Sequence, residues 1–201
     1  MDAEVASLYN MATQRTRTQF CESKMSTAET LSQLPDDGNR YELVQGEIRM
    51  MSPAGGRHGR IAGRVYKLLV IHVDDNKLGA TFAAETGFRI AVEPDTVRAP
   101  DAAFVRQDKM DELDNDIGFL PFAPELAVEV VSPSDSFAAV EEKAFNWIDA
   151  GTKIVLVVVP DSQSVHMYKS RNGISVHRNE DIVNAEDAVP GWKFQVSEIF
   201  T

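Results

Sequence analysis

The feature that most constrains the fold is a strand–helix–strand unit in the second half of the chain. Two short apolar runs, residues 126–131 and 153–159, are rich in β-branched side chains, which is typical of buried strands. Residues 136–150 between them form an amphipathic helix that stops at Gly151, with an apolar face of Phe137, Val140, Ala144, Trp147 and Ile148. Strands joined through a helix run parallel and are covered on both faces. The pattern predicts a mixed α/β fold.

The remaining patterns predict how the chain is organised around this unit. Residues 1–26 are polar and lack periodicity, so we expect a flexible N-terminal extension followed by one domain over residues 27–201. A short helix should begin near Thr27, and a hairpin should turn at Gln45-Gly46. A longer helix is expected over residues 58–74, with a core-facing apolar stripe of Ile61, Val65, Leu68 and Leu69. A second hairpin near residues 164–177 should extend the sheet at an edge.

Composition excludes several classes of protein. The longest strongly apolar stretch, residues 154–159, is far below the roughly 20 residues that a membrane span needs, so no membrane segment is expected. Cys21 is the only cysteine, which excludes an intramolecular disulfide and a cysteine-rich zinc site. We interpret the protein as cytoplasmic.

Glu129 is the most informative single residue. A carboxylate inside a strand that is otherwise apolar is costly unless it is paired or bound to a metal ion. Asp101 follows Pro100 and opens another predicted strand, so two acids on neighbouring strands can share one cation. Oxygen ligands without cysteine favour Mg²⁺ or Mn²⁺ over zinc. The alternatives are that a buried arginine, Arg98 or Arg89, holds Glu129 and that Asp101 only shapes a turn.

Lys143 is the candidate cation beside these acids. It lies on the helix after the Glu129 strand, near Trp147 at the flank of the apolar face. A lysine there can reach the sheet edge, although a lone helix lysine is more often a surface residue.

A basic helix face is the candidate surface for phosphate. On the helix over residues 58–74, four basic side chains fall within about a quarter turn, namely Arg57, Arg60, Arg64 and Lys67. Residues 1–100 hold 12 basic and 13 acidic side chains, whereas residues 101–201 hold 8 and 18, so a phosphate-facing surface belongs in the first half. His58 begins the same helix. It is interpreted either as a contact to phosphate or as a solvent-exposed residue that caps the helix. A solvated helix face is the simpler interpretation of all five residues.

Several strings in order resemble one family. They are residues 40–48 (RYELVQGEI), 51–53 (MSP), 58–61 (HGRI), 86–90 (TGFRI), 97–105 (VRAPDAAFV) and 128–135 (VEVVSPSD). Together they resemble the Uma2 (Uma-two) family of restriction endonucleases, within the PD-(D/E)XK nuclease superfamily. The similarity covers about residues 27–201 and also takes in Glu142-Lys143 and Ala150-Gly151.

The resemblance implies a restriction-endonuclease-like mixed β-sheet flanked by helices, with added hairpins, and assigns roles to residues. Pro100-Asp101 and Glu129 match the two acids of the superfamily motif, but Val131 stands where its lysine is expected. Relatives whose lysine has moved to the next helix point to Lys143, with Lys153 as the fallback. Glu42 and Glu85 lie in matched segments and are candidates for an added ligand or for orienting water.

These observations predict a Mg²⁺- or Mn²⁺-dependent endonuclease that hydrolyses nucleic acid, with DNA as the expected substrate. Asp101, Glu129 and the Val130 carbonyl would hold the metal ion, and Lys143 would orient the attacking water or stabilise the phosphate. A homodimer is expected because two-strand cleavage needs two sites. The competing hypothesis is an inactive nuclease-fold module for binding or regulation, which the acidic second half of the chain favours.

Overall fold

The computed structural model describes residues 25–113, 118–133 and 135–201. Its α-helices are α1 (Ala28–Ser32), α2 (Gly56–Asn76), α3 (Gln107–Asp111) and α4 (Phe137–Asp149), and a 3₁₀ helix spans Val196–Ile199. Its first six strands are β1 (Arg40–Val44), β2 (Glu47–Met51), β3 (Gly79–Ala83), β4 (Phe88–Ala91), β5 (Thr96–Arg98) and β6 (Ala102–Arg106). The other strands are β7 (Leu126–Val130), β8 (Ile154–Val159), β9 (Ser164–Ser170), β10 (Gly173–Arg178), β11 (Ile182–Asn184) and β12 (Lys193–Gln195).

A six-stranded sheet, called here the central sheet, has the order β10-β9-β8-β7-β6-β3. Strands β7 and β8 pair in parallel, with Glu129 opposite Val157, and the other pairs of this sheet are antiparallel. The β9–β10 hairpin lies at one edge. The predicted parallel pair and the predicted edge hairpin are therefore confirmed.

Helices cover both faces of the central sheet. The predicted apolar stripe of α2 is buried at Ile61, Val65 and Leu69, and it packs in one core with Val128 and Val130. On the opposite face, Trp147 of α4 packs in a second core with Ala127. This alternation places the side chain of Glu129 on the α4 face.

A four-stranded sheet, called here the small sheet, has the order β2-β1-β5-β4. Its β1–β2 hairpin turns at Gln45 and Gly46, both with positive φ, as the sequence predicts. Residues 99–101 then connect β5 of the small sheet to β6 of the central sheet. This short crossing carries Asp101 to the boundary between the two sheets.

The structure corrects one expectation, and a second one concerns residues that lie mostly outside the described part of the chain. Phe137, predicted on the buried face of α4, is 70% exposed, because the first turn of the helix extends beyond the sheet and only later positions such as Ala144 and Trp147 reach the core. The predicted N-terminal extension, residues 1–26, lies outside the described residues except for Met25 and Ser26. No helix in the described part of the chain is both long and apolar enough to cross a membrane.

Candidate active site

Asp101 and Glu129 lie on neighbouring strands, as predicted. Asp101 precedes β6, and its backbone N–H donates to the carbonyl of Val128 on β7 at 2.9 Å. Its side-chain Oδ2 accepts the backbone N–H of Val130 at 2.7 Å. The Asp101 carboxylate is thus held one residue beyond Glu129, at the same end of the two strands.

Glu129 is buried, with 8% of the residue exposed, and two side chains of α4 contact it. The indole N–H of Trp147 donates to Oε1 at 2.8 Å, and Lys143 Nζ lies 2.9 Å from Oε2. Neither arginine that sequence reasoning offered as a partner contacts it. Arg89 pairs with Asp95, and Arg98 pairs with Glu42.

Lys143 connects Glu129 to a third acid from the small sheet. Its Nζ lies 3.2 Å from Oε1 of Glu42, which is 4% exposed. We call Glu42, Asp101 and Glu129 the acid cluster. Lys143 therefore reaches the edge of the central sheet, as the sequence predicts.

His58 closes the other side of the site, at the start of α2. Its Nε2 lies 3.2 Å from Oδ2 of Asp101, and its Nδ1 is buried without a hydrogen-bond partner among the described residues. The hydrogen bond to Asp101 raises the pKa of His58, although burial lowers it. His58 therefore contacts a candidate metal ligand and does not lie free on the helix surface.

The pKa values of the site show an excess of negative charge. The pKa of Glu129 is raised to about 7, chiefly by burial and also by the charges of Asp101 and Glu42, although Lys143 lowers it. Burial lowers the pKa of Lys143, but the charges of Glu129 and Glu42 outweigh this and raise it. Burial also raises the pKa of Glu42, but Lys143 and Arg98 outweigh this and lower it. Carboxylates that share too few cations favour the binding of one more cation.

These residues line a cleft of about 620 Å³ between the two sheets. The acid cluster, His58 and Lys143 face it, and Met50, Met51 and Pro53 form an apolar wall on the side of the small sheet. A polar floor with an apolar wall is a common form of ligand site.

The donor set fits a hard divalent cation. No group of three or more His, Cys, Asp or Glu side chains within the described ranges is arranged to hold a metal ion. One carboxylate oxygen is nevertheless available, because Asp101 Oδ1 accepts no hydrogen bond within the described residues. Glu129 would exchange Lys143 for the ion at Oε2, and Val130 lines the same cleft. Mg²⁺ is often bound by one or two carboxylates and keeps several water ligands. Asp101, Glu129 and Val130 match that pattern.

The structure places the other predicted residues at the rim or outside the cleft. Glu85 is exposed at the cleft rim and pairs with Arg40, apart from the acid cluster. Arg57 is bound to Asp161, and Arg64 donates to Thr201. Arg57, Arg60, Arg64 and Lys67 are not among the cleft residues, whereas His58 is. Lys153 precedes β8, four residues before Val157, the partner of Glu129, and so lies roughly 13 Å away along the sheet. It cannot replace Lys143, and that fallback is wrong.

Sequence reasoning missed contacts of three residues that surround the site, although it named Arg98 as a partner of Glu129. Trp147 was assigned to the core only, yet it also binds Glu129. Asn146 and Arg98 bind each other and extend the ion pairs of the cluster. A helical signal was available for two of them, because Asn146 and Trp147 follow Lys143 by three and four residues and share its face.

Comparison with known proteins decides the family. A family model described as "Putative restriction endonuclease" and named Uma2 matches residues 28–197. The chain belongs to the Uma2 family. The resemblance seen in the short sequence strings is thereby confirmed, and this Uma2 chain is matched by the model over most of its length.

The fold of this Uma2 chain is also that of a solved structure. The crystal structure of a "putative nuclease" from Anabaena variabilis matches it with a TM-score of 0.76 and 19% sequence identity, over 87% of this chain and 97% of that one. At this identity the likeness shows the fold, and it confirms the predicted fold class. No curated protein matches the Uma2 chain at a significant level.

The raised pKa of Glu129 predicts how stability depends on pH in protein kept free of divalent ions. The folded state takes up this proton near pH 7, whereas the unfolded state takes it up near 4.5, so the stabilising contribution is complete below pH 4.5 and is lost as the pH rises through 7. The free energy of unfolding should fall by about 3 kcal/mol across this window, since each tenfold change in proton affinity is worth about 1.4 kcal/mol. Urea unfolding in EDTA from pH 5 to 8 measures it.

Glu129→Gln is the control for that experiment, because glutamine cannot ionise. It should remove most of the pH dependence and leave a smaller part of the same sign from His58, whose pKa is also raised. An unchanged slope in Glu129→Gln would show that Glu129 stays ionised throughout the range.

Proposed function

We propose that this protein is a divalent-metal-dependent endonuclease that hydrolyses phosphodiester bonds of nucleic acid, most simply DNA. The observation that carries the proposal is the convergence of Asp101, Glu129 and Lys143 at one end of β6 and β7, inside a cleft, in a member of a family described as restriction endonucleases. Two acids with an adjacent cation, all lining one cleft, are the groups that metal-assisted phosphodiester hydrolysis requires.

Each residue has a role that follows from its contacts. Asp101, Glu129 and the Val130 carbonyl would hold the metal ion, and Trp147 fixes one oxygen of Glu129. Bound Mg²⁺ or Mn²⁺ would lower the pKa of water and neutralise charge on the phosphate. Lys143 places a positive charge beside Glu129, where it can hold the attacking water or stabilise the negative charge that develops on phosphorus.

The metal requirement is tested by calorimetric titration of Mn²⁺ and Mg²⁺ into wild type and Glu129→Ala, followed by a cleavage screen. We expect saturable binding that is lost in Glu129→Ala, and cleavage of plasmid or single-stranded DNA that EDTA abolishes. The screen should include RNA, since the groups of the cleft do not distinguish the two backbones. Wild type that neither binds a metal ion with nucleic acid present nor cleaves any substrate would refute the proposal.

A second candidate function is a binding or regulatory module without catalysis. The observation that favours it is that the acid cluster already has internal partners, namely Lys143, Trp147, His58 and Arg98. Such a module should bind nucleic acid in a salt-sensitive manner. That binding should survive Glu129→Ala, and binding abolished by this change alone would count against the module.

Further parts of the proposal concern the setting of the protein. We propose a cytoplasmic location, which the single cysteine of the sequence supports. We also propose a homodimer, because cutting both strands of a duplex requires two sites.

The proposed contacts to the flanking phosphates remain the basic residues Arg57, Arg60, Arg64 and Lys67. Arg57 would first have to leave Asp161. The domain is proposed to span residues 27–201.

A further inference from the structure

Glu42 has its carboxylate oxygens fully occupied by the protein. Oε2 accepts Nη1 of Arg98 at 2.9 Å, and Oε1 accepts the backbone N–H of Ala99 at 3.1 Å. The same Oε1 lies 3.2 Å from Lys143 Nζ. Glu42 lines the cleft, but it is only 4% exposed and has three donors. Glu129 has two, and its Oε2 would become available if Lys143 alone moved away. These contacts are those of a residue that holds other side chains in place.

Arg98 is fixed in turn from its other side. Its Nε and Nη2 donate to Oδ1 of Asn146 at 3.0 and 2.7 Å, and the residue is 5% exposed. Asn146 lies on α4, three residues after Lys143. The contacts therefore form a closed ring that runs from Lys143 to Glu42, Arg98, Asn146 and back along one turn of helix. The backbone of Lys143 is thus fixed by α4, and its ammonium is fixed by Glu42.

Such a ring is a costly way to gain stability. Two buried charges lose their hydration, and an ion pair in the interior often stabilises a fold no better than apolar side chains would. A lysine has about 2 kcal/mol of rotamer entropy to lose when its ammonium is fixed. A ring that fixes this one ammonium against Glu129 has a clear purpose if Lys143 acts on substrate.

We propose that Glu42 is a positioning residue and not a metal ligand, and that Arg98 and Asn146 hold it so that its carboxylate fixes the Lys143 ammonium beside Glu129. The part that concerns turnover rests on the proposed nuclease function. The part that concerns where the ammonium lies does not, and it can be measured in protein without any substrate.

Glu42→Gln is the test variant, and Glu125→Gln is the matched control. Glu125 is also a buried glutamate, 4% exposed, with a lysine at 2.7 Å and a backbone N–H donor from Arg106, but it belongs to neither the cleft nor the acid cluster. Both changes remove one buried charge next to a lysine. Asn146→Ala is the second test variant, in case Glu42→Gln fails to fold, because it loosens Arg98 and leaves both charges in place.

Three readouts separate the roles. Brief acetic anhydride labelling followed by peptide mass spectrometry should show Lys143 several-fold more reactive in Glu42→Gln and in Asn146→Ala than in wild type, and unchanged in Glu125→Gln. Calorimetric titration should give a Mn²⁺ affinity for Glu42→Gln within about threefold of wild type. Steady-state cleavage by Glu42→Gln should show kcat lowered at least tenfold, with KM nearly unchanged.

Each contrary result has one meaning. Loss of Mn²⁺ binding in Glu42→Gln equal to that in Glu129→Ala would make Glu42 a ligand and overturn the proposal. Unchanged Lys143 labelling in both test variants would show that the ring does not fix the ammonium, and this result would also overturn the proposal. Wild type that cleaves nothing would refute the nuclease function alone, and the labelling result would still decide where Glu42 holds the lysine.

Discussion

Lys143→Met is expected to lower kcat for phosphodiester cleavage by about 10²–10³-fold while the protein stays folded. This is the range of loss seen when one group that stabilises developing charge is removed from an active site. Methionine keeps an unbranched apolar chain in the position of the lysine stem, so the packing beside Trp147 changes little. The measurement is steady-state cleavage with Mn²⁺ at saturating substrate.

The same change should increase the affinity for divalent ions, by about tenfold. In wild type the ammonium lies 2.9 Å from Glu129 Oε2 and competes with any other cation for that oxygen. Its removal leaves Glu129 buried beside Asp101 and Glu42 with one positive charge fewer. Lost cleavage combined with tighter Mn²⁺ binding would separate a catalytic lysine from one that merely maintains the metal site.

Lys109→Met is the control for both measurements. Lys109 also pairs with a buried glutamate, Glu125, at 2.7 Å, but it lies outside the cleft. It should leave cleavage and metal affinity close to wild type. If Lys109→Met reduced kcat as much as Lys143→Met does, the loss would come from general destabilisation.

Trp147→Ala is expected to cost about 3–5 kcal/mol of the free energy of unfolding, because a fully buried tryptophan leaves a large cavity. The ring packs edge-to-face on Phe88 at a centroid distance of 6.0 Å, in the core between α4 and the central sheet. Urea unfolding at pH 7 measures the change. A loss below 1 kcal/mol would show that the site collapses around the missing ring.

Trp147→Phe isolates the hydrogen bond to Glu129. Phenylalanine keeps an aromatic ring but not the indole N–H, so the buried carboxylate loses one donor at a cost of about 1–3 kcal/mol beyond that of altered packing. Trp192→Phe is the matched control, since Trp192 is also buried and packs on an aromatic ring, Phe194, in the other core. Equal losses in the two variants would assign no stability to the bond with Glu129.

Much of the fold follows from local patterns that the sequence displays. The hairpin turn at Gln45-Gly46 and the buried stripe of α2 depend on residues a few positions apart, and the parallel pair depends on one continuous strand–helix–strand segment. Each is found where expected. Phe137 shows the limit of such patterns. Helical periodicity predicts which face of a helix is apolar, but not how far the sheet beneath it extends.

The candidate site was partly predictable for a similar reason. Glu129 stands out because it is a charge in an otherwise apolar strand, and Asp101 stands out because it is an acid at the start of a neighbouring strand. Both features can be read from a single sequence. The pairing of Arg98 with Glu42 joins positions 56 residues apart and depends on the pairing of β1 with β5 in the small sheet. The role of His58 as a partner of Asp101 depends on a different long-range contact, between the start of α2 and the start of β6.

The boundary between the two sheets has a consequence for how the proposed activity would be lost on heating. Glu42 and Arg98 belong to the small sheet, Glu129 to the central sheet, and Asp101 to the three-residue crossing between them. Regions of one protein open with different free energies, and we expect the small sheet, which has fewer fully buried residues, to open more readily. A transient opening of the small sheet would separate the proposed catalytic residues while the central sheet stays folded. Thermal inactivation would then follow this local opening and would begin below the temperature at which the whole chain melts.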